Sequence, residues 1–196
     1  MTIYLLRHGQ SEGNLASLFS GATDHPLTEL GRQQARDAGN RFQGARFSHL
    51  FTSRLSRAIE TADIFLVSSG VLVGKREARA ELNERHFGIM EGKDQPQGDW
   101  VIGDVPWRVC NDVDFAPEGG ESMRDTHRRA IAFMDNVAAE LDSDVLIVAH
   151  GNVLRSMTLH ALGWPVDMLP EMPSRNCLVT RLCYGRGAVV QPPRLR

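Results

Sequence analysis

Two histidines in this chain are followed at once by glycine, and each stands where an apolar run stops. The first is Arg7-His8-Gly9, after Thr2–Leu6; the second is His150-Gly151, after Val145–Ala149. Glycine lets a chain turn sharply and lets a ligand approach the backbone. A third such run ends at Thr52-Ser53 and leads into Arg54 and Arg57, one helical turn apart on the same face. Two histidines and up to three arginines can thus converge at one crevice, with no equal cluster of acids against them. Guanidinium forks match the oxygens of a dianionic phosphoryl group, which makes that the expected ligand chemistry. Of the remaining histidines, His25, His49, His127 and His160 read as satisfied or solvated side chains, and His86, close to Glu84, stays open.

The elements that must position these residues alternate between apolar runs and helical periods. Thr2–Arg7 reads as a buried strand, followed by a long glycine-bearing loop over 8–27. Thr28 is the natural N-cap of a helix to about residue 43, with Leu30, Ala35, Ala38 and Phe42 on its apolar face. His49–Thr52 is a second strand, and 54–68 a helix with Leu55, Ala58, Ala62 and Phe65 spaced for burial. Val71–Val73 is a short strand at most, and 76–92 has no regular pattern. An irregular insertion spans about 93–119. Ser122 caps a long helix. Val145–Ala149 is the most apolar strand and is expected at the centre of the sheet. A helix over about 152–162 stops at Gly163 and Pro165, Cys177–Tyr184 is a late strand, and the tail Gln191–Arg196 is expected to be frayed. This order predicts an α/β fold: a three-layer α/β/α sandwich with a mostly parallel central sheet. In such sheets the ligand lies outside the carboxyl ends of the strands.

Composition narrows the function classes. The 196 residues predict one domain over 1–196. With 22 basic against 24 acidic residues, the chain lacks the excess of a nucleic-acid or polybasic membrane binder. Cys110, Cys177 and Cys183 are odd in number and include no CxxC pair, so a disulfide scaffold and a zinc ribbon are poor readings. No run approaches the roughly 20 apolar residues of a membrane span, and no secretory h-region follows the N-terminus. The expectation is a cytoplasmic protein. A P-loop and a GxSxG elbow are both missing, which argues against a nucleoside triphosphatase and an α/β-hydrolase.

Five blocks, in order, carry a resemblance. Leu6-Arg7-His8-Gly9-Gln10-Ser11-Glu12-Gly13-Asn14 runs on to the loop and helix start Gly21–Gly31. Then come Ser53–Ala62, Leu82-Asn83-Glu84-Arg85-His86-Phe87-Gly88, Pro117–Ser122 and Val148-Ala149-His150-Gly151. Together they resemble the histidine phosphatase superfamily, the phosphoglycerate-mutase-like enzymes. The resemblance implies that His8 attacks phosphorus and becomes a phosphohistidine. Arg7, Arg57 and His150 would hold the phosphoryl oxygens, and Glu84 would protonate the leaving group. The positive field around His8 should depress its pKa and keep it a nucleophile. Arg7 would point away along its strand unless the turn at Gly9 brings both side chains inward. Ser11, Asn14, Ser20, Gly21 and Thr23 fall where the family contacts substrate. Asn14 and Thr23 are the better candidates as short polar groups in a glycine-flanked loop, although plain turn chemistry serves them equally. Glu121 and Ser122 read as a helix start, and Arg54 stands outside the core set. No metal or cofactor is implied.

The family holds both mutases and phosphatases. Only residues 85–117 separate the third block from the fourth, whereas the larger mutases carry a longer stretch there. This favours a metal-independent hydrolase of a small phosphorylated metabolite. A cofactor-dependent phosphoglycerate mutase is the alternative, and an inactive copy that binds a phosphorylated ligand is an alternative of another class. Lys93, Trp100, Val101, Ile102, Trp107 and Phe115 in the insertion offer an apolar cover for substrate, a loop packed on the core, or a homodimer contact.

Overall fold

The computed structural model describes residues 1–95 and 111–183, with the backbone of 101–102 and 105–106. The expected strand end at Tyr184, the tail, and Cys110, Trp100 and Trp107 lie outside the described residues. Strand β1 (Thr2–Arg7) is followed by the single turn α1 (Glu12–Leu15) and helix α2 (Glu29–Asn40). Then come β2 (Arg46–Thr52), α3 (Ser56–Ser69) and β3 (Leu72–Ala78). A minimal hairpin, β4 (Val101–Ile102) with β5 (Val105–Pro106), falls in the insertion. Helix α4 (Met123–Glu140), β6 (Val145–Ala149), α5 (Gly151–Leu162) and β7 (Val179–Cys183) complete the order.

The main sheet runs β3-β2-β6-β1-β7, parallel except for β7. All five residues of β6 are buried, as a strand covered on both faces requires, and it takes the central place its composition predicts. One face carries Ile3, Leu5, Val145 and Ile147 against Ala130, Met134 and Met157 of α4 and α5. The other carries Leu6, Leu146 and Val148 against Ala38 of α2 and Ala58, Ala62 and Phe65 of α3. Each fully buried aliphatic side chain contributes about 1.5–3 kcal/mol, so this pair of cores is what fixes the strand ends.

Local signals set the helix ends. Ser122 Oγ accepts from Asp125 N–H, and the Asp125 carboxylate accepts from Ser122 N–H, a reciprocal cap that starts α4. Thr28 Oγ1 accepts from Gly31 N–H at 3.1 Å and starts α2. Leu30, expected on the buried face of α2, is 54% exposed. Gly31 takes the inner place because its backbone meets that of Gln10 too closely for a side chain. The third strand is longer than Val71–Val73. Gly74-Lys75-Arg76-Glu77 pairs with β2 as an exposed sheet edge, so it shows no apolar alternation to read.

Candidate active site

The parallel register assembles the strand ends. Arg7 of β1 pairs with Ala149 of β6, so the next residues, His8 and His150, lie side by side. Thr52 of β2 pairs with Val148, which brings Ser53 to the same edge. Backbone bonds continue past the strands: His8 N–H donates to Ala149 O at 3.0 Å and Ser53 N–H to Val148 O at 3.1 Å. The two imidazole rings stand 4.9 Å apart between centroids, and both are buried.

His8 Nδ1 is 2.7 Å from Gly9 O. A carbonyl only accepts, so Nδ1 carries the hydrogen and Nε2 is left with a bare lone pair. Gly9 has to be glycine, because a Cβ there would sit 2.3 Å from Gly31 O. The turn does bring Arg7 and His8 to one cavity. Arg7 Nη1 donates to Ser174 O at 2.6 Å, while Arg7 Nε is buried with no partner. His150 Nε2 is 2.7 Å from Ser53 Oγ, and His150 Nδ1 is likewise buried and unpartnered. Burial first, then the charges of Arg7 and Arg57, hold His8 well below the usual histidine value. Burial, then the His8 ring, does the same for His150. The positive field expected from the sequence therefore acts on His8, but desolvation is the larger cause.

Arg57 is buried and committed to the loop over it. Its Nη1 donates to Thr23 O at 2.9 Å and reaches Asp24 Oδ1 at 3.4 Å; its Nη2 donates to Ser20 O at 3.1 Å and Gly21 O at 2.8 Å. The same loop is gripped from the other side by Glu91. That carboxylate accepts from the N–H groups of Gly21 (3.1 Å), Ala22 (2.9 Å), Thr23 (3.1 Å) and Phe87 (2.8 Å). Burial works to raise the Glu91 carboxyl, yet the N–H groups of Phe87, Ala22 and Thr23 outweigh it and hold it below its ordinary value. Glu91→Ala should cost about 1–3 kcal/mol of stability in urea unfolding and release the loop to limited proteolysis. A wild-type unfolding midpoint would show that water replaces the carboxylate without loss.

Glu84 lies between two anchors. Its Oε1 accepts from Arg85 N–H at 2.8 Å, and its Oε2 from Asn152 N–H at 3.3 Å, at the start of α5. The loop beneath it is clamped by Arg129, which donates to Glu81 O (2.8 Å), Asn83 O (2.7 Å) and Glu84 O (3.1 Å). Arg129 is itself held by both carboxylate oxygens of Glu121, each at 2.9 Å. His86, left open by the sequence, closes a turn: its Nδ1 accepts from Gly88 N–H at 2.9 Å.

Arg7, His8, Asn14, Ser20, Glu84 and Arg155 line a cavity of about 310 Å³. Five residues expected to hold the phosphoryl group or touch substrate are not on its wall: Arg57 and His150, which lie behind it, and Ser11, Gly21 and Thr23. Ser11 is fully buried and caps α1, its Oγ accepting from Asn14 N–H at 3.3 Å. Gly21 and Thr23 spend their backbone groups on Glu91 and Arg57. Arg54 is exposed, and the arginines on the cavity wall are Arg7, Arg85 and Arg155. Arg155 follows Gly151 by one helical turn, a spacing that could have drawn attention to it. It is tied to Asn152 Oδ1 at 2.8 Å and Met172 O at 3.2 Å. Glu91, Arg129 and Asn176 act across loops far apart in sequence, and no local pattern reveals them. Asn176 Nδ2 donates to His8 O at 2.9 Å and Asn14 Oδ1 at 3.1 Å. In the insertion, Phe115 packs on Phe19 and Met90, and Lys93 is exposed.

The chain has known relatives. The chain is 39% identical over 178 residues to a 2,3-bisphosphoglycerate-dependent phosphoglycerate mutase of Methylobacterium sp. (strain 4-46), covering 87% of this chain and 85% of the relative. Among solved structures, a mycobacterial glucosyl-3-phosphoglycerate phosphatase matches with TM-score 0.77 at 29% identity, covering 93% of this chain and 92% of that one. The alpha-ribazole phosphatase of Shigella flexneri matches with TM-score 0.82 at 25% identity, over 98% and 95%. The family model of the histidine phosphatase superfamily (branch 1) spans residues 3–191, and this chain belongs to that superfamily.

Proposed function

We propose that the protein hydrolyses a small phosphomonoester through a phosphohistidine on His8, without a metal. The observation that carries this reading is the pair of unpartnered buried nitrogens, Arg7 Nε and His150 Nδ1, beside the bare Nε2 of His8. A buried polar group left unmade costs about 1–3 kcal/mol, and a phosphoryl oxygen on each would recover it. In the first step the Nε2 lone pair forms the N–P bond, the P–O bond to the alcohol breaks, and Glu84, as the carboxylic acid, gives its proton to the departing oxygen. In the second, Glu84 takes a proton from water, the hydroxyl oxygen bonds to phosphorus, and the N–P electron pair returns to Nε2. Arg7, Arg57 and His150 balance the charge on the equatorial oxygens, with Arg57 acting from beneath its loop. Asn14 and Ser20 face the bound ester.

Glu84 also lines a second cavity, of about 460 Å³, with Asn83, His86 and Gly120. This gives the carboxylate a further approach for water and supports hydrolysis. A mutase is the second reading, favoured by the name of the 39% identical relative. The length of the stretch after residue 85 does not decide the matter, since that relative is matched over 85% of its own length. The test is phosphate release from a panel of monoesters in EDTA, beside interconversion of 2- and 3-phosphoglycerate. Release without interconversion is expected. Interconversion with little release would make the protein a mutase, and loss of release on adding EDTA would end the metal-free reading.

The acidic limb of kcat/KM carries a further prediction. The active form of His8 is neutral, so activity is lost as pH falls through its pKa. Because burial and the two arginines hold that pKa well below 6.5, the limb should lie below 6.5 once the ester's own ionisation near about 6 is allowed for. A limb at 6.5 or above, measured with an activated aryl phosphate, would contradict it.

A further inference from the structure

The tautomer of His150 can be read from its partner. Ser53 is fully buried, and its Oγ accepts from Leu55 N–H at 3.2 Å. A hydroxyl has one hydrogen and two acceptor lone pairs. With one lone pair given to Leu55, the hydroxyl hydrogen still needs an acceptor, and His150 Nε2 lies 2.7 Å away. Two arrangements are open. If His150 Nε2 carries the hydrogen, it donates to Ser53, and two buried groups go unmet: the hydroxyl hydrogen and the Nδ1 lone pair. If Ser53 donates, only the Nδ1–H goes unmet, and that is a donor beside the nucleophile. The first arrangement would also turn a lone pair toward incoming phosphoryl oxygens, which repels them.

We propose that Ser53 is a positioning residue: its hydroxyl holds His150 as the Nδ1–H tautomer, and that N–H binds a phosphoryl oxygen. The inference rests on the phosphotransfer reading above. His150 is neutral near pH 7, because burial and the neighbouring His8 and Arg57 oppose its protonation, so it has one ring hydrogen to place. Both histidines then share one tautomer and use it oppositely. The Gly9 carbonyl fixes Nδ1–H on His8 and leaves Nε2 as the nucleophile. The Ser53 hydroxyl fixes Nδ1–H on His150 and leaves a donor.

The experiment is long-range ¹H–¹⁵N NMR of the full chain labelled with ¹⁵N-histidine, with and without orthovanadate, alongside kinetics. His150 in the wild type should show a protonated Nδ1, and its resonance should shift when vanadate binds. Ser53→Ala should lose the single-tautomer signature and lower kcat by about 10–100-fold, below the loss typical of removing an oxyanion donor outright. Ser53→Thr, which keeps the hydroxyl, should restore both. A wild-type His150 protonated at Nε2 overturns the proposal without any variant. So does a Ser53→Ala protein that keeps both the signature and kcat. Failure to trap phosphate on wild-type His8 would overturn the phosphotransfer reading instead, whatever tautomer His150 shows.

Discussion

His8→Ala should lower phosphate release by roughly 10⁴-fold or more and abolish the acid-labile phosphoenzyme. The size follows from what the side chain supplies. Its Nε2 is the nitrogen lone pair beside Arg7 Nε and His150 Nδ1, and alanine leaves no nucleophile at that position. Little change in fold is expected, since the backbone bond from residue 8 to Ala149 O is kept. Rapid quench with ³²P-labelled ester would read both quantities. Near wild-type turnover in the variant would remove His8 from the reaction.

The second large effect is selective. Glu84→Gln should slow formation of the phosphoenzyme from alkyl phosphates by about 10²–10⁴-fold, and from activated aryl phosphates by less than about tenfold. An alkoxide needs a proton to depart, whereas a nitrophenolate does not. Glutamine keeps one acceptor oxygen for the shorter bond from Arg85 N–H, gives up the longer one from Asn152 N–H, and has no proton to lend the departing oxygen. The comparison should be made on the first turnover, because the carboxylate also serves the later attack by water. Equal slowing of both ester classes would sink the proton-donor role. An accumulated phosphoenzyme with aryl esters would support it.

Much of this site is legible in the sequence, for a physical reason. Strands buried on both faces are written as unbroken apolar runs, so their ends are sharp, and His8 and His150 are found by where Thr2–Leu6 and Val145–Ala149 stop. Ser122 and Thr28 announce their helices through cap chemistry that is local. What escapes is what depends on loop closure. Arg57 is identified as a phosphoryl ligand by its motif, yet its hydrogen bonds are spent on loop carbonyls. Thr23 and Gly21 look like substrate contacts until Glu91, about seventy residues on, is seen to hold them. The extent of β3 escapes as well, because an exposed edge is free to be charged.

The placement of β1 between β6 and β7 has a consequence for how the molecule comes into being. Among the described strands, β1 comes first in chain order and lies inside the sheet, while its two neighbours, β6 and β7, come last. A nascent chain that has released His8, Arg57 and Glu84 still has no site, because the wall that holds them waits for Val145–Ala149 and Val179–Cys183. Such long-range pairing is slow to form. The strand ends that carry His8 and His150 therefore come together only when the last described strands pair.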